Sequence, residues 1–248
     1  MASKAKGSSN MLWMLSTFLL IGILVGLGVS SLNGGSVQTN VPSVGGTDAP
    51  SDTPSYETPG IDDDPMIGDV DAPVTMIVFS DYECPYCQRY ESLVYPEIKA
   101  NFIDTGLVKY VFRDFPLSFH ADAQGIAELT ECAQDQGYFW EMHELITEKY
   151  EEWAEYEGDM IDLFADYAAT LGASKDALMS CYDAGTYTEE VNADMTDGRA
   201  AGFNGTPSFF INGEKVVGAL PYEDYTSKDG SLSEGFESIL TRLVEEAS

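Results

Sequence analysis

The 248-residue chain sets 42 Asp and Glu against 12 Lys and Arg, a net charge of -30. An apolar content of 44% with 12% aromatics excludes a wholly disordered, collagen-like or low-complexity chain, and the length allows one large domain or two small ones. So negative a molecule repels phosphate backbones, and no nucleic-acid partner is expected. Residues 1–65 carry only -4 of that charge and the remainder -26. Two settings fit such acidity: a high-salt medium that screens the repulsion, or an ordinary acidic exported protein. Lys outnumbers Arg here, the reverse of the usual halophilic surface.

Residues 1–10 hold Lys4 and Lys6 and read as a short cytoplasmic N-terminus. Met11 to Val29 is apolar apart from Ser16 and Thr17, and at 1.5 Å per residue it reaches about 29 Å, enough for a bilayer core. Residues 11–31 are therefore expected to be a retained anchor with the N-terminus inside and everything after it outside. The competing reading is a signal peptide cleaved near Val29-Ser30-Ser31, but the apolar run exceeds the usual signal core of roughly 7 to 15 residues. Residues 32–65 are mainly Gly, Ser, Thr, Pro, Asn and Asp and read as a disordered linker to a folded domain over 66–248.

Within that domain, Val74 to Phe79 is β-branched and apolar and predicts a buried strand. Cys84-Pro85-Tyr86-Cys87 follows and opens a helix, with Pro85 in a tolerated first-turn position and Pro96 kinking the helix later. Leu107 to Phe112 predicts a second strand, completing a parallel strand, helix, strand unit. From about 118 to 203 the periodicity is helical: Ala121 to Gln136, Tyr138 to Tyr150, Met160 to Leu171, Lys175 to Asp183, and Tyr187 to Ala201 behind a Thr186/Glu189 capping box. The stretch Glu148 to Glu157 reads as a helix end with one solvated face. Gly205-Thr206-Pro207 precedes a hairpin, Ser208 to Ile211 and Glu214 to Val217 around Asn212-Gly213, and a last helix is expected over Leu232 to Glu246.

This order is α/β, a thioredoxin-like fold with an all-helical insertion between the N-terminal strand-helix-strand unit and the C-terminal hairpin-helix unit. The stretches VTMIVFSDYECPYC (Val74 to Cys87) and GTPSFFING (Gly205 to Gly213) resemble the DsbA-like family of extracytoplasmic thiol-disulfide oxidoreductases, in its membrane-anchored branch. The resemblance covers about Ile67 to Glu246. It implies that Pro207 is cis and faces the cysteines, leaving the backbone of Thr206 to pair with an extended substrate; a plain trans-proline turn is the alternative.

A CxxC at a strand-to-helix junction suits redox chemistry. Unpaired N–H groups and the helix dipole stabilise a thiolate at Cys84, and Cys87, one turn further in, resolves the mixed disulfide. Half of a zinc site is the rival reading, and it would need Cys132 and Cys181 as further ligands, neither of which belongs to a second CxxC. Those two lie in different predicted helices, and a structural disulfide between them closes a loop of about 50 residues, worth roughly 4 kcal/mol by the chain-entropy model. Two free buried thiols are the alternative.

Tyr86 stands where strongly oxidising relatives carry His, and Val78 where soluble relatives carry a buried acid, which leaves the oxidising strength and the proton relay open. Asp81 is a candidate acceptor for the Cys87 proton, against a solvated loop acid. His120 and His143 read as structural. The expectation is a membrane-anchored protein dithiol oxidase acting on Cys pairs of exported proteins, with no cofactor or metal. The resemblance implies an integral-membrane partner of the DsbB or vitamin-K-epoxide-reductase type. The alternatives are a reductase or isomerase kept reduced by a membrane donor, and a non-catalytic chaperone or binding module.

Overall fold

The computed structural model describes residues 57–248; the expected anchor at 11–31 and the linker up to residue 56 lie outside the described residues. Among the described residues no helix is long and apolar enough to cross a membrane. After β1 (Met66–Ile67), β2 (Val74–Ser80) pairs in parallel with β3 (Val108–Asp114), from Val74 opposite Val108 to Ser80 opposite Asp114. The connection runs through α1 (Pro85–Leu93), α2 (Tyr95–Ile98) and a π turn at Lys99–Ile103. Pro96 cannot donate a backbone hydrogen bond, and the helix breaks at Val94, just before it.

Six helices follow: α3 (Ala123–Gln134), α4 (Phe139–Glu148), α5 (Tyr150–Trp153), α6 (Met160–Leu171), α7 (Lys175–Asp183) and α8 (Thr188–Ala200). The chain then returns through β4 (Ser208–Ile211) and β5 (Glu214–Val217), a small ribbon of β6 (Tyr225–Thr226) and β7 (Leu232–Ser233), and α9 (Phe236–Ala247). The main sheet has the order β1-β3-β2-β4-β5, with β4 antiparallel to β2. Asn212 and Gly213 both take positive φ, 44° and 97°, the backbone that a tight hairpin requires. The thioredoxin-like architecture read from the element order is the one observed.

Alternation along β2 builds two cores. Val74, Met76 and Val78 face the larger one, shared with α1, α9 and the helical insertion, whereas Ile77 and Phe79 join Val111, Phe115, Phe203 and Phe210 on the opposite face. Gly198 of α8 lets that helix approach closely, since a Cβ there would lie 2.7 Å from the Phe115 ring.

Several local expectations need correction. The ordered domain starts before Met66: Pro65 accepts the Phe112 N–H at 3.0 Å, and Asp62 and Asp64 ion-pair with fully buried Arg113 at 3.2 and 3.0 Å. Asp194 and Asp197 of α8 reach the same guanidinium, so charge, to which apolar periodicity is blind, fastens the end of the linker. Strand β1 is only two residues long and leaves no alternating pattern. The last helix begins at Phe236, because Leu232 is 76% exposed in β7. The expected Tyr138 to Tyr150 helix divides at Lys149 into α4 and α5. The capping box does not form: Tyr187 is the N-cap of α8, and the Thr186 hydroxyl donates instead to the Cys181 carbonyl at 2.9 Å.

Candidate active site

β2 ends at Ser80, and a four-residue turn carries the chain to Cys84, the N-cap of α1, with extended backbone (φ -74°, ψ 118°). Side chains of the turn fix its shape. The Asp81 carbonyl accepts the Cys84 N–H at 3.0 Å, and the Asp81 carboxylate accepts the Glu83 N–H at 2.8 Å. Gln88, buried on α1, donates its amide to the Tyr82 carbonyl at 2.8 Å. The helix start is thereby held beneath the Cys84 sulfur.

Cys84 and Cys87 are both free thiols, and both are buried, at 4% and 1% exposure. A helix start is usually open to solvent, yet Cys84 is buried like Cys87, one turn further in. Exposure does not distinguish them; ionisation does. The Cys84 pKa is lowered to about 6, first by a hydrogen bond from the Cys87 thiol, against the cost of burial, with further help from Thr206 and the N–H groups of Cys87 and Tyr86. Burial pushes the Cys87 thiol well up, and its hydrogen bond to Cys84 raises it further, while Ser80 and Thr206 act in the opposite sense. The pair is thus a thiolate beside a thiol near neutral pH.

The Thr206–Pro207 peptide bond is cis. Register puts Ser208 opposite Phe79, so the loop before β4 lies at the same end of the sheet as the turn before Cys84. The Cys84 thiol faces the Thr206 carbonyl at 3.5 Å. Tyr86 is 62% exposed beside the pair.

Asp81 is 2% exposed, and its carboxylate is fully engaged: beyond the Glu83 N–H it takes the Leu117 N–H and His120 Nδ1, each at 2.7 Å. Glu83 accepts the Asp122 N–H at 2.7 Å. The two acids nearest the CxxC in sequence therefore fasten the segment after β3 to the active-site turn. Cys132 and Cys181 form a disulfide that joins α3 to α7, with Cα atoms 5.9 Å apart, and so neither can join the CxxC in a zinc site. Two acidic groups, Asp62/Asp63/Glu190 and Asp64/Glu190/Asp194, bring carboxylate oxygens within 4.8 Å of one another, but Arg113 already supplies positive charge to three of these acids.

Sequence reasoning missed Ser80 and Gln88. Ser80 closes an apolar strand immediately before the turn, and that break in the run was the available signal. Gln88 had none, since its role depends on bending back to a carbonyl six residues earlier.

A thiolate at a helix start, a second thiol one turn inside and a cis-proline loop beside them define a thioredoxin-fold dithiol protein. The thioredoxin family profile matches residues 61–228. Disulfide bond formation protein D of Bacillus subtilis is 31% identical over 183 residues, 72% of this chain and 79% of its own length. The Na(+)/H(+) antiporter NhaA 3 of Salinispora tropica is 34% identical over 163 residues, 65% of this chain but only 23% of the antiporter. Among solved structures, oxidised BdbD of Bacillus subtilis superposes with a TM-score of 0.63 at 24% identity, covering 77% of this chain and 97% of that one. The chain belongs to the thioredoxin family, in its DsbA-like group of protein-disulfide oxidoreductases.

Proposed function

We propose that this protein is a dithiol oxidase that introduces disulfides into exported proteins. One observation carries the direction: the reduced state holds a stabilised thiolate. A Cys84 pKa lowered to about 6 keeps the thiolate populated at pH 7 and so favours the reduced folded form, which makes the disulfide more oxidising than an unshifted pair.

The chemistry then balances as follows. A substrate thiolate attacks Cys84 of the Cys84–Cys87 disulfide, the bond between the two enzyme sulfurs breaks, and Cys87 leaves and takes up a proton. The second substrate thiolate attacks its partner sulfur in the mixed disulfide and releases Cys84, whose low pKa makes it a good leaving group. Two electrons pass from substrate to enzyme. An extended substrate segment pairs with the backbone at Thr206. The electrons leave through an integral-membrane partner of the DsbB or vitamin-K-epoxide-reductase type, and residues 11–31 anchor the domain outside the membrane, which raises the local concentration of that encounter.

The test mixes stoichiometric oxidised protein with a reduced, unfolded two-cysteine substrate in the absence of oxygen. The proposal expects substrate disulfide and a reduced Cys84–Cys87 pair. A protein that remains oxidised is not an oxidase, and one that reduces a disulfide substrate to completion when supplied in dithiol form acts in the opposite direction; either result overturns the proposal.

A further inference from the structure

His143 of α4 is 2% exposed, and its ring lies among Phe112, Phe139 and Trp140, with centroids 4.8, 6.2 and 5.7 Å away. Both nitrogens meet polar groups in this apolar cage. Nδ1 is 3.1 Å from the Tyr82 hydroxyl, and Nε2 is 3.3 Å from Glu91 Oε2. Tyr82 stands two residues before Cys84, in the active-site turn, and Glu91 four residues after Cys87, in α1. A single imidazole from the insertion therefore meets both flanks of the CPYC segment. Nδ1 and the Tyr82 hydroxyl share a hydrogen bond, while Nε2 faces the Glu91 carboxylate without making one. Glu91, itself 6% exposed, thus has the imidazole ring as a basic neighbour in a place where a buried carboxylate without a partner is costly.

We infer that His143 is a positioning residue for the redox pair: through Tyr82 and Glu91 it holds the turn before Cys84 and the far end of α1, and so the helix as a body, in the arrangement that aims the helix N–H groups at the Cys84 sulfur. The turn and the helix are already joined to each other by Gln88 and the Tyr82 carbonyl. That contact lets them move together; His143 locks them to the insertion. Hydrogen bonds to a thiolate weaken steeply as their angle opens, so a small rotation of the helix start moves the thiol ionisation before it moves the fold. The inference rests on Cys84 as the nucleophile, and it is independent of the direction of electron flow.

The experiment uses the full chain, reduced, and reads the rate of Cys84 alkylation against pH beside a thermal melt. His143→Phe keeps a ring in the aromatic cage and removes both nitrogens; Tyr82→Phe removes one hydroxyl; His143→Gln restores a polar group. The expected result is that His143→Phe moves the alkylation midpoint up by about one unit, which slows the reaction near pH 6 by about fivefold. Tyr82→Phe moves it in the same direction by less, and His143→Gln recovers part of the loss. Variants that melt earlier but keep the wild-type midpoint would overturn the inference and leave His143 as a packing residue. If His143→Phe does not fold, Tyr82→Phe decides alone. Because alkylation reports thiol ionisation and not net oxidation, failure of the oxidase proposal and failure of this one give different results.

Discussion

The Cys84 sulfur lies 3.5 Å from the carbonyl oxygen of Thr206, the residue before the cis proline. The proposed nucleophile and the backbone proposed to pair with substrate are thus in contact. On that proposal, a substrate strand laid along Thr206 would bring its own sulfur to Cys84 without a search.

Ionisation rather than exposure separates the two cysteines, and alkylation reveals it. Cys84 should react with a midpoint near the value of about 6, with Cys87 unlabelled at neutral pH. Cys87→Ala removes the largest stabilising hydrogen bond, and the Cys84 midpoint should rise. Peptide mapping of the labelled protein checks the first point, and the pH profile of the variant checks the second. Labelling of Cys87 first would reverse the roles.

Stability should fall as pH rises through the neutral range. Burial and neighbouring acids push Glu131 up to about 8 from 4.5, and burial raises Asp194 to about 6 from 3.8. A carboxyl whose folded pKa is raised stabilises the fold fully below its unfolded pKa and loses that contribution as pH climbs through the folded value. Unfolding free energy should therefore decline from about pH 4 to pH 8. Glu131→Gln should flatten the upper part of that slope in denaturant titrations. An unchanged slope would remove Glu131 as its source.

Arg113 is fully buried among four aspartates on two segments, the stretch before β1 and α8. Arg113→Met leaves the buried Asp194 without a counter-charge and should cost about 3 to 5 kcal/mol. Paired replacement with Asp194→Asn should recover part of the loss, because the orphaned charge causes most of the damage. Urea melts of the single and double variants measure both.

The Cys132–Cys181 bridge spans 49 residues of sequence. Removing it as a Cys132→Ala, Cys181→Ala pair should lower stability by about 4 kcal/mol by the chain-entropy model, with the Cys84 alkylation midpoint unchanged. Graded reductant should open Cys84–Cys87 first.

With a net charge of -30, repulsion among exposed acids is a standing cost that salt relieves. Melting temperature should rise between about 0.01 M and 1 M salt, as the screening length falls from about 30 Å to about 3 Å. A melt insensitive to salt would mean that the acids are too dispersed to matter.

The fold was legible wherever a pattern repeats. Val74 to Phe79, the five helical runs and Asn212-Gly213 each carry a local signal, and their order specifies a thioredoxin-like sheet with an insertion. The redox cysteines stood out for the same reason: CPYC closes a strand and opens a helix. Contacts between distant positions were not legible. His143 meets Tyr82 and Glu91 across 61 and 52 residues, and Arg113 gathers acids from both sides of its strand, pairings that no periodicity encodes. Asp81 was found by proximity to Cys84, yet its engagement with Leu117 and His120 depends on a loop whose path the sequence does not trace. The burial of Cys84 also escaped, because a helix start is usually open, and here the Thr206 loop lies against it.

The reduction potential of the Cys84–Cys87 pair, equilibrated against glutathione at pH 7, tests the central claim most directly. A thiolate-stabilised oxidase should lie at or above about -200 mV, in the range of disulfide-forming catalysts. A value near the thioredoxin figure of about -270 mV, or below it, would contradict the account and make the protein a reductant.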